Sequence, residues 1–530
     1  MKNLKKLTAL GLAALLTVAA AGCGGDDEPA VVNKGTGEIP ETLTIYCGIS
    51  GYATKAGAKD MNDMLPFQMM EEFTGCHVEW IHPATGSEEE KFNLTIASGN
   101  LPDMMVSNWK GVQGGAKMYA DDGVIIPLRE LMEENMPNLT AYNAQKPHVA
   151  KQYIDDSGEV YYIPFIRKDE QLKVYQGPQI RQDWLEKLGL EAPTTPDELY
   201  NVLMAFKTQD PNGNGEADEI PMSGVKFENT SQAIGNLLWM FGTANGFYVE
   251  NGQVKYGVQE DAFEEGLKYI TKLYADGLID KDYLLNDRDK MDNKFMNDKV
   301  GFVYSLQPGN YYKNMNDGTR KVTGIAHPKA EGVTNNVFDS SYTQDVTGIS
   351  IAVTTANENP SGSLKWLDNF YGGKGLEIIN FGKEGVSFEY DAQGNPKLTD
   401  YIFNNPNGKS QQEMSGLSLG TYQSNFPALQ LWSYYEQILS PWGKESIETW
   451  AGSAGTDGVV PPLSFTEEEN ETIAQNMSQI ETFVSERINK IVIGNGSIDE
   501  LPEIREKIKS MGIDEVIEIY NNALKRYNER

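Results

Sequence analysis

Three short apolar runs divided by two amphipathic stretches open the folded part of this 530-residue chain, and no other feature narrows its architecture as much. Leu43, Ile45 and Cys47 alternate with Thr42, Thr44 and Tyr46 ahead of Gly48, the period of a strand over 42–50 that runs into a turn. A helical stretch over 61–73 follows, then a strand over 77–81, a helix over 87–97 and a strand over 103–106. Antiparallel neighbours can be joined by tight turns, whereas whole helices between strands indicate βαβ crossovers and a parallel sheet. The predicted class is therefore α/β. Further on, 195–207 and 261–274 read as amphipathic helices, the second with Phe263, Leu267, Ile270 and Tyr274 on one face and Gly277 as its stop. Strands are predicted over 299–304 and 348–353, a helix over 363–371, and a helical carboxyl-terminal region closed by the stripe Ile513, Val516, Ile517, Tyr520, Ala523, Leu524 and Tyr527. Trp184 and Trp366 lie on amphipathic helices and are assigned to the core.

The length calls for at least two hydrophobic cores. Lys and Arg number 45 against 76 Asp and Glu, a formal charge of −31. That field repels phosphate backbones and anionic headgroups, which excludes nucleic acid and polybasic membrane docking as modes of action. Three cysteines and no CxxC pair exclude a disulfide scaffold and the usual zinc and redox motifs. Cys47 and Cys76 fall at opposite ends of what read as neighbouring parallel strands, too far apart to bridge, so free thiols are expected.

Lys2, Lys5 and Lys6 precede an apolar run over 7–20, too short for a membrane span but the right length for an export signal. Ala20-Ala21-Gly22-Cys23 then resembles the lipobox of bacterial lipoproteins, which implies cleavage after residue 22 and a diacylglycerol on Cys23. Losing three lysines takes the charge from −31 to −34. Residues 23–40 read as a flexible tether on a soluble, extracytoplasmic body anchored to the membrane by lipid.

Several segments together resemble the large solute-binding lipoproteins of bacterial ABC importers, extracellular solute-binding protein family 1, in the branch of the alginate-oligosaccharide binders and Gram-positive sugar-importer lipoproteins. They are 98–103 (SGNLPD), 180–190 (IRQDWLEKLGL) with Pro193-Thr194-Thr195, 210–215 (DPNGNG), 273–279 (LYADGLI), 299–302 (KVGF), 382–385 (GKEG) and the close from Met511 to Tyr527. The resemblance implies a two-lobed periplasmic-binding-protein-like fold whose cleft closes on an oligosaccharide, a monomer that hands its solute to the transmembrane subunits of an ABC permease. Laid on the strand pattern, it suggests a first lobe of 41–165 and 346–390 and a second of 166–345 and 391–530.

The 210–219 loop also has a physical reading. Asp210, Asn212 and Asn214 place oxygen donors at alternating positions with Gly215 to turn the chain, as in the first half of an EF-hand. Pro221 stands where an EF-hand has its bidentate Glu; the resemblance passes that role to Asp218 or Glu219, with Glu216 giving its backbone carbonyl. The same residues make good turn chemistry. Four acidic side chains in ten residues repel one another without a cation, which favours a structural Ca2+.

Sugar rings stack their C–H faces on aromatic side chains, and open α/β sheets bind ligands at the carboxyl ends of their strands. Trp109 follows the strand over 103–106, and Trp239, Tyr304, Tyr311, Trp432, Trp442 and Arg181 fall in or near segments that could face a cleft. Enzyme readings are weaker. Gly416-Leu417-Ser418-Leu419-Gly420 matches the G-x-S-x-G elbow, but no apolar strand precedes it and no histidine follows it. The four histidines show no paired spacing for a catalytic zinc. A secreted polysaccharide hydrolase or lyase, or an oligopeptide-binding lipoprotein, shares the export logic without these segments, so a binding protein and no enzyme is expected.

Overall fold

The opening alternation folds as a parallel core: β1 (Thr42–Tyr46) lies between β2 (His77–Ile81) and β3 (Met104–Ser107), parallel to both. The computed structural model describes residues 34–530 apart from 175, 229, 231, 307–319, 335–343, 406 and 454–457, so the export signal, Cys23 and Tyr311 lie outside the described residues. The stretch predicted as one helix over 61–73 is a 3-10 turn, Met61–Asp63, and a separate helix, Leu65–Thr74, with Met64 extended between them. Pro66 is the cause: it lacks the N–H an interior turn needs and fits only a first turn. Thr42 pairs with His77 and Tyr46 with Ile81, which puts Cys76 and Cys47 beyond opposite ends of the ladder; both are buried and free.

Two strands from distant parts of the chain extend this sheet. β4 (Ile163–Arg167) and β3 flank β11 (Val346–Val353), each antiparallel to it. The outer neighbour of β4 is β14 (Leu429–Gln430), giving the order β14-β4-β11-β3-β1-β2. A second sheet, β10-β5-β9-β6, is built from β5 (Gln176–Arg181), β6 (Ile220–Met222), β9 (Val300–Leu306) and β10 (Val322–Gly324). Hairpins β7–β8 (Phe247–Glu250, Gln253–Tyr256) and β12–β13 (Phe388–Tyr390, Pro396–Leu398) stand apart from both.

Each sheet is the floor of a lobe. The second packs on the helices Pro196–Thr208 and Asp261–Ala275 and on the carboxyl-terminal helices Glu467–Val492, Leu501–Ser510 and Ile513–Glu529, through Leu203, Leu267, Ile270, Ile480, Val484, Ile488, Ile504 and Val516. The first of these helices starts at a capping box in which Thr195 and Glu198 bond each other's backbone N–H, followed by Pro196. Trp184 and Trp366 are buried, as their helical faces predicted.

The lobe boundary expected at residue 390 is displaced. β14 hydrogen-bonds to β4 of the first sheet, and the helix Gln411–Ser418 packs on Gly51–Lys55 and Leu65–Thr74, so the first lobe keeps the chain to about Ile438. The helix Pro441–Ser453 is the first element to return to β10 and β5. Three connections therefore join the lobes: from β4 to β5, from β10 to β11, and from β14 to the helix Pro441–Ser453. They are tied together: Lys173 Nζ lies 3.2 Å from Asp345 Oδ1, both side chains buried, and the backbone N–H of Trp432 donates to Asp169 Oδ2 at 2.8 Å. Away from the crossings, Arg526 and Arg530 at the end of the last helix each reach Asp156 of the first lobe at 2.6 Å, one on each carboxylate oxygen.

Candidate functional site

β3 runs out at Ser107, and the next residues turn sharply. The N–H of Gly111 donates to Asn108 Oδ1 at 3.2 Å, and a Cβ on Gly111 would stand 2.5 Å from Asn108 Nδ2, so a side chain there would displace the Asn108 amide. This loop, 108–117, borders three cavities. One of about 500 Å³ lies wholly in the first lobe at the carboxyl ends of β1 and β3, against Tyr46, Glu88, Phe92, Asn108 and Tyr119. A second, of about 470 Å³, lies between the lobes: Lys110 and Gln344 face Glu228, Asn245, Phe247, Glu481 and Tyr520. The third, of about 330 Å³, continues from it between Lys117, Gln152, Asp155 and Tyr161 on one side and Pro462, Leu463 and Phe465 on the other.

The cavity between the lobes has the mixed lining that fits a polyol. Phe247 and Tyr520 stack with ring centroids 4.2 Å apart and planes 14° from parallel, and Phe465 and Tyr256 pack at their edges, each at 5.0 Å. Around them stand an ammonium, two carboxylates and two amides. Asn245 Oδ1 is buried and accepts no hydrogen bond. Desolvation raises the pKa of the Glu481 carboxyl, and burial, with the Arg530 charge as a smaller cause, brings the Lys110 ammonium down to about 8. A ring system with directional donors and acceptors around it can bind and orient a solute.

Apart from Trp109, the residues singled out from sequence are placed elsewhere. Trp109 is fully buried, its indole N–H donating to the Met105 carbonyl at 2.8 Å, with Phe92 and Tyr119 edge-on; it backs the third cavity from the core. Trp239 and Tyr304 meet edge-to-face at 5.6 Å inside the second lobe's core. Arg181 is 1% exposed, bonded to Asp183 at 2.8 and 2.5 Å and to Asp298, with Trp184 beneath its guanidinium at 4.5 Å. It is a structural ion cluster. Trp432 sits half-buried at the third crossing, and Trp442 packs against Met291, Phe295 and Val303. Among the described residues, Trp109 lines the third cavity, which continues the second, and the other five line neither. Phe247, Tyr520 and Lys110 were missed: Tyr520 read as one more apolar position of the last helix, and Phe247 and Lys110 carried no signal.

The 210–219 loop is curled inward on its own oxygens. Asp210, at φ 47°, accepts from the N–H groups of Gly213 and Gly215 at 2.9 and 3.1 Å, Asn212 Oδ1 from Asn214 N–H at 3.0 Å, and Asn214 Oδ1 from Glu216 N–H at 2.7 Å. Asp218 takes the Asn214 and Asn212 amides and an ion pair from Lys299 at 3.0 Å, and the Asn214 bond foremost holds its carboxyl below the usual range. Glu219 Oε1 is buried without a partner, and burial, followed by the charges of Asp210 and Asp218, raises its pKa. Among the described residues no three acidic, His or Cys side chains already converge as an ion site. A donor set that is half amide and one orphaned carboxylate oxygen fit a hard cation all the same.

Ser418, the would-be nucleophile of the G-x-S-x-G match, is a buried residue at the end of the helix Gln411–Ser418 and not at a strand-to-helix elbow.

The family model for bacterial extracellular solute-binding proteins matches residues 50–375. The chain belongs to that family. Within it, the chain is 28% identical over 486 residues, 88% of each protein, to the fructooligosaccharide ABC transporter substrate-binding protein FusA of Streptococcus pneumoniae serotype 4. The structure of FusA in complex with kestose superposes with a TM-score of 0.71 at 27% identity, covering 92% of this chain and 99% of that one. A second FusA structure, an EF-hand mutant in complex with fructo-nystose, gives 0.70 at 26% identity over 92% and 99% of the two chains. Lipoprotein LipO of Bacillus subtilis is 29% identical over 307 residues, 56% of this chain and 55% of its own. This solute-binding protein has the two-lobed fold of its relatives. It is a binding component of an ABC transporter and not an enzyme.

Proposed function

We propose that the protein captures a neutral oligosaccharide between its lobes and delivers it to the transmembrane subunits of its importer, with fructo-oligosaccharides the first candidates. The observation that carries this reading is the stacked Phe247–Tyr520 pair facing Asn245, Glu228, Glu481, Gln344 and Lys110. The two carboxylates and the acidic surface disfavour a polyanionic sugar, and FusA, the relative spanning most of the chain, is a fructooligosaccharide binder. Ligand contacts made by both lobes exist in full only when the cleft is closed, so binding draws the equilibrium toward closure by its differential affinity. Calorimetric titration with kestose tests the reading. Tyr520→Ala is expected to weaken binding tenfold to a hundredfold, the roughly 1–3 kcal/mol of a lost stacking surface. Unchanged affinity in a variant that melts like the wild type would remove the pair from the site.

The anchor belongs to the same reading: a monomer held at the membrane by a diacylglycerol on Cys23, supported by the lipobox-like Ala20–Cys23 and by a relative named as a lipoprotein. So does a structural Ca2+ in the 210–219 loop, held by Asp210, Asn212, Asn214, Asp218, Glu219 and the backbone carbonyl of Glu216. The orphaned Glu219 Oε1 supports it, as does the EF-hand of FusA. One calcium per chain is expected by elemental analysis, and chelator should lower the melting temperature, since an ion that binds only the folded state stabilises it by RT ln(1 + [L]/Kd). A melt indifferent to chelator, with no calcium found, would leave the loop as a turn.

A further inference from the structure

Lys110 stands where the second and third cavities meet, its side chain lining both. Pro462, Leu463 and Phe465 also border both, so the two spaces are one groove with a waist at the ammonium. Lys110 Nζ donates to Gln344 Oε1 at 3.2 Å, and among the described residues that amide is its only hydrogen-bond partner. An ammonium carries three donors, and donors left without acceptors in a largely desolvated place are costly. Among the described residues no carboxylate of the groove forms an ion pair with it: Glu228 pairs with Lys226 at 3.1 Å, Asp156 with Arg526 and Arg530 at 2.6 Å, and Asp155 accepts from the Ser157 hydroxyl at 2.6 Å. The waist thus offers donors to oxygen acceptors, which the ring and hydroxyl oxygens of a glycosidic chain supply.

Resting on the oligosaccharide reading above, we propose that Lys110 is a specificity-determining residue for chain length: the bound sugar crosses the waist, fills both chambers, and places ring and hydroxyl oxygens on the Lys110 ammonium. A disaccharide occupies the aromatic chamber alone and meets the ammonium only from that side. Burial, with the Arg530 charge as a smaller cause, depresses the Lys110 pKa at this position.

The test is calorimetric titration of the whole protein with sucrose, kestose and nystose. Wild type is expected to gain affinity at each added unit, more than tenfold across the series. Lys110→Met should weaken nystose binding at least tenfold and sucrose binding by a much smaller factor, so that the gain per added unit shrinks, and Lys110→Arg, which keeps a donor at the waist, should restore most of the length dependence. Melting curves of the same samples show that both variants are folded. Equal losses for all three sugars, or no loss for nystose, would overturn the assignment of Lys110 while leaving the oligosaccharide reading in place. Absence of binding of any of the three by wild type would overturn that reading and the inference with it.

Discussion

Trp239→Ala is expected to lower the free energy of unfolding by about 3–5 kcal/mol, the usual cost of emptying a large aromatic site in a core, and to leave sugar affinity as it was. The residue lies on the 3-10 helix Ile234–Phe241, in which every position from Ile234 to Met240 is buried. Apart from Asn236, whose amide donates to the Thr230 carbonyl, that segment is apolar on all sides and belongs inside a lobe. Trp239 is 8% exposed and contributes to the cluster that also holds Leu237, Leu267, Tyr304 and Ile480. Denaturant unfolding of wild type and variant, read beside a titration with kestose, separates packing from binding. Lost affinity at unchanged stability would put Trp239 back into the cleft.

Acid should find a second weak point beside it. His327 is 8% exposed, with the rings of Trp239 and Tyr304 at 6.3 and 6.0 Å, and burial, aided by the charge of Lys329, lowers its pKa from 6.5 to about 3. Between those two values the unfolded chain binds the proton and the folded chain does not. Stability contributed by the neutral ring is therefore intact above about pH 6.5 and falls with pH, by about 1.4 kcal/mol per unit, until the folded state also protonates near pH 3. Over the full window the loss is about 5 kcal/mol by the same linkage. Because the acidic surface loses self-repulsion over the same range, the contribution is read as a difference: His327→Gln should flatten the fall in unfolding free energy between pH 6.5 and pH 4. Parallel curves for the two proteins would show that the ring is not the proton site.

How much of this was open to the sequence varies by residue. Leu43, Ile45 and Cys47 alternate over a strand, and Phe263, Leu267 and Ile270 recur over a helix; such periods report one buried face whatever covers it. The glycines and prolines that end these elements act within a turn of chain, as Pro66 does when it starts a helix at Leu65. The donor spacing of Asp210, Asn212 and Asn214 is equally local, and the structure bends that loop around its own oxygens. Motifs strung along the whole length were enough to point to the family and to two lobes.

The cleft was not legible in this way, because its wall is made by residues that meet only after both lobes have formed. Tyr520 belongs to the apolar stripe of the last helix, and nothing local distinguishes it from Val516, yet one is buried outright and the other turns its ring onto Phe247 of a distant hairpin. The most conspicuous aromatic, Trp109, sits on the loop that borders all three cavities, but its own N–H is drawn inward to the Met105 carbonyl. Lobe membership of 391–438 was hidden for the same reason: two residues, Leu429 and Gln430, place that segment by hydrogen-bonding β4, a pairing with no signature in either strand. The sequence by itself determined which segments are strands, helices and turns and which faces must be covered, since those follow from periodicity and backbone chemistry over a few residues. Only the tertiary structure decided what covers each face and which rings are left at the cavity, since burial is shared out among long-range neighbours, and an aromatic side chain serves a core and a sugar with the same apolar surface.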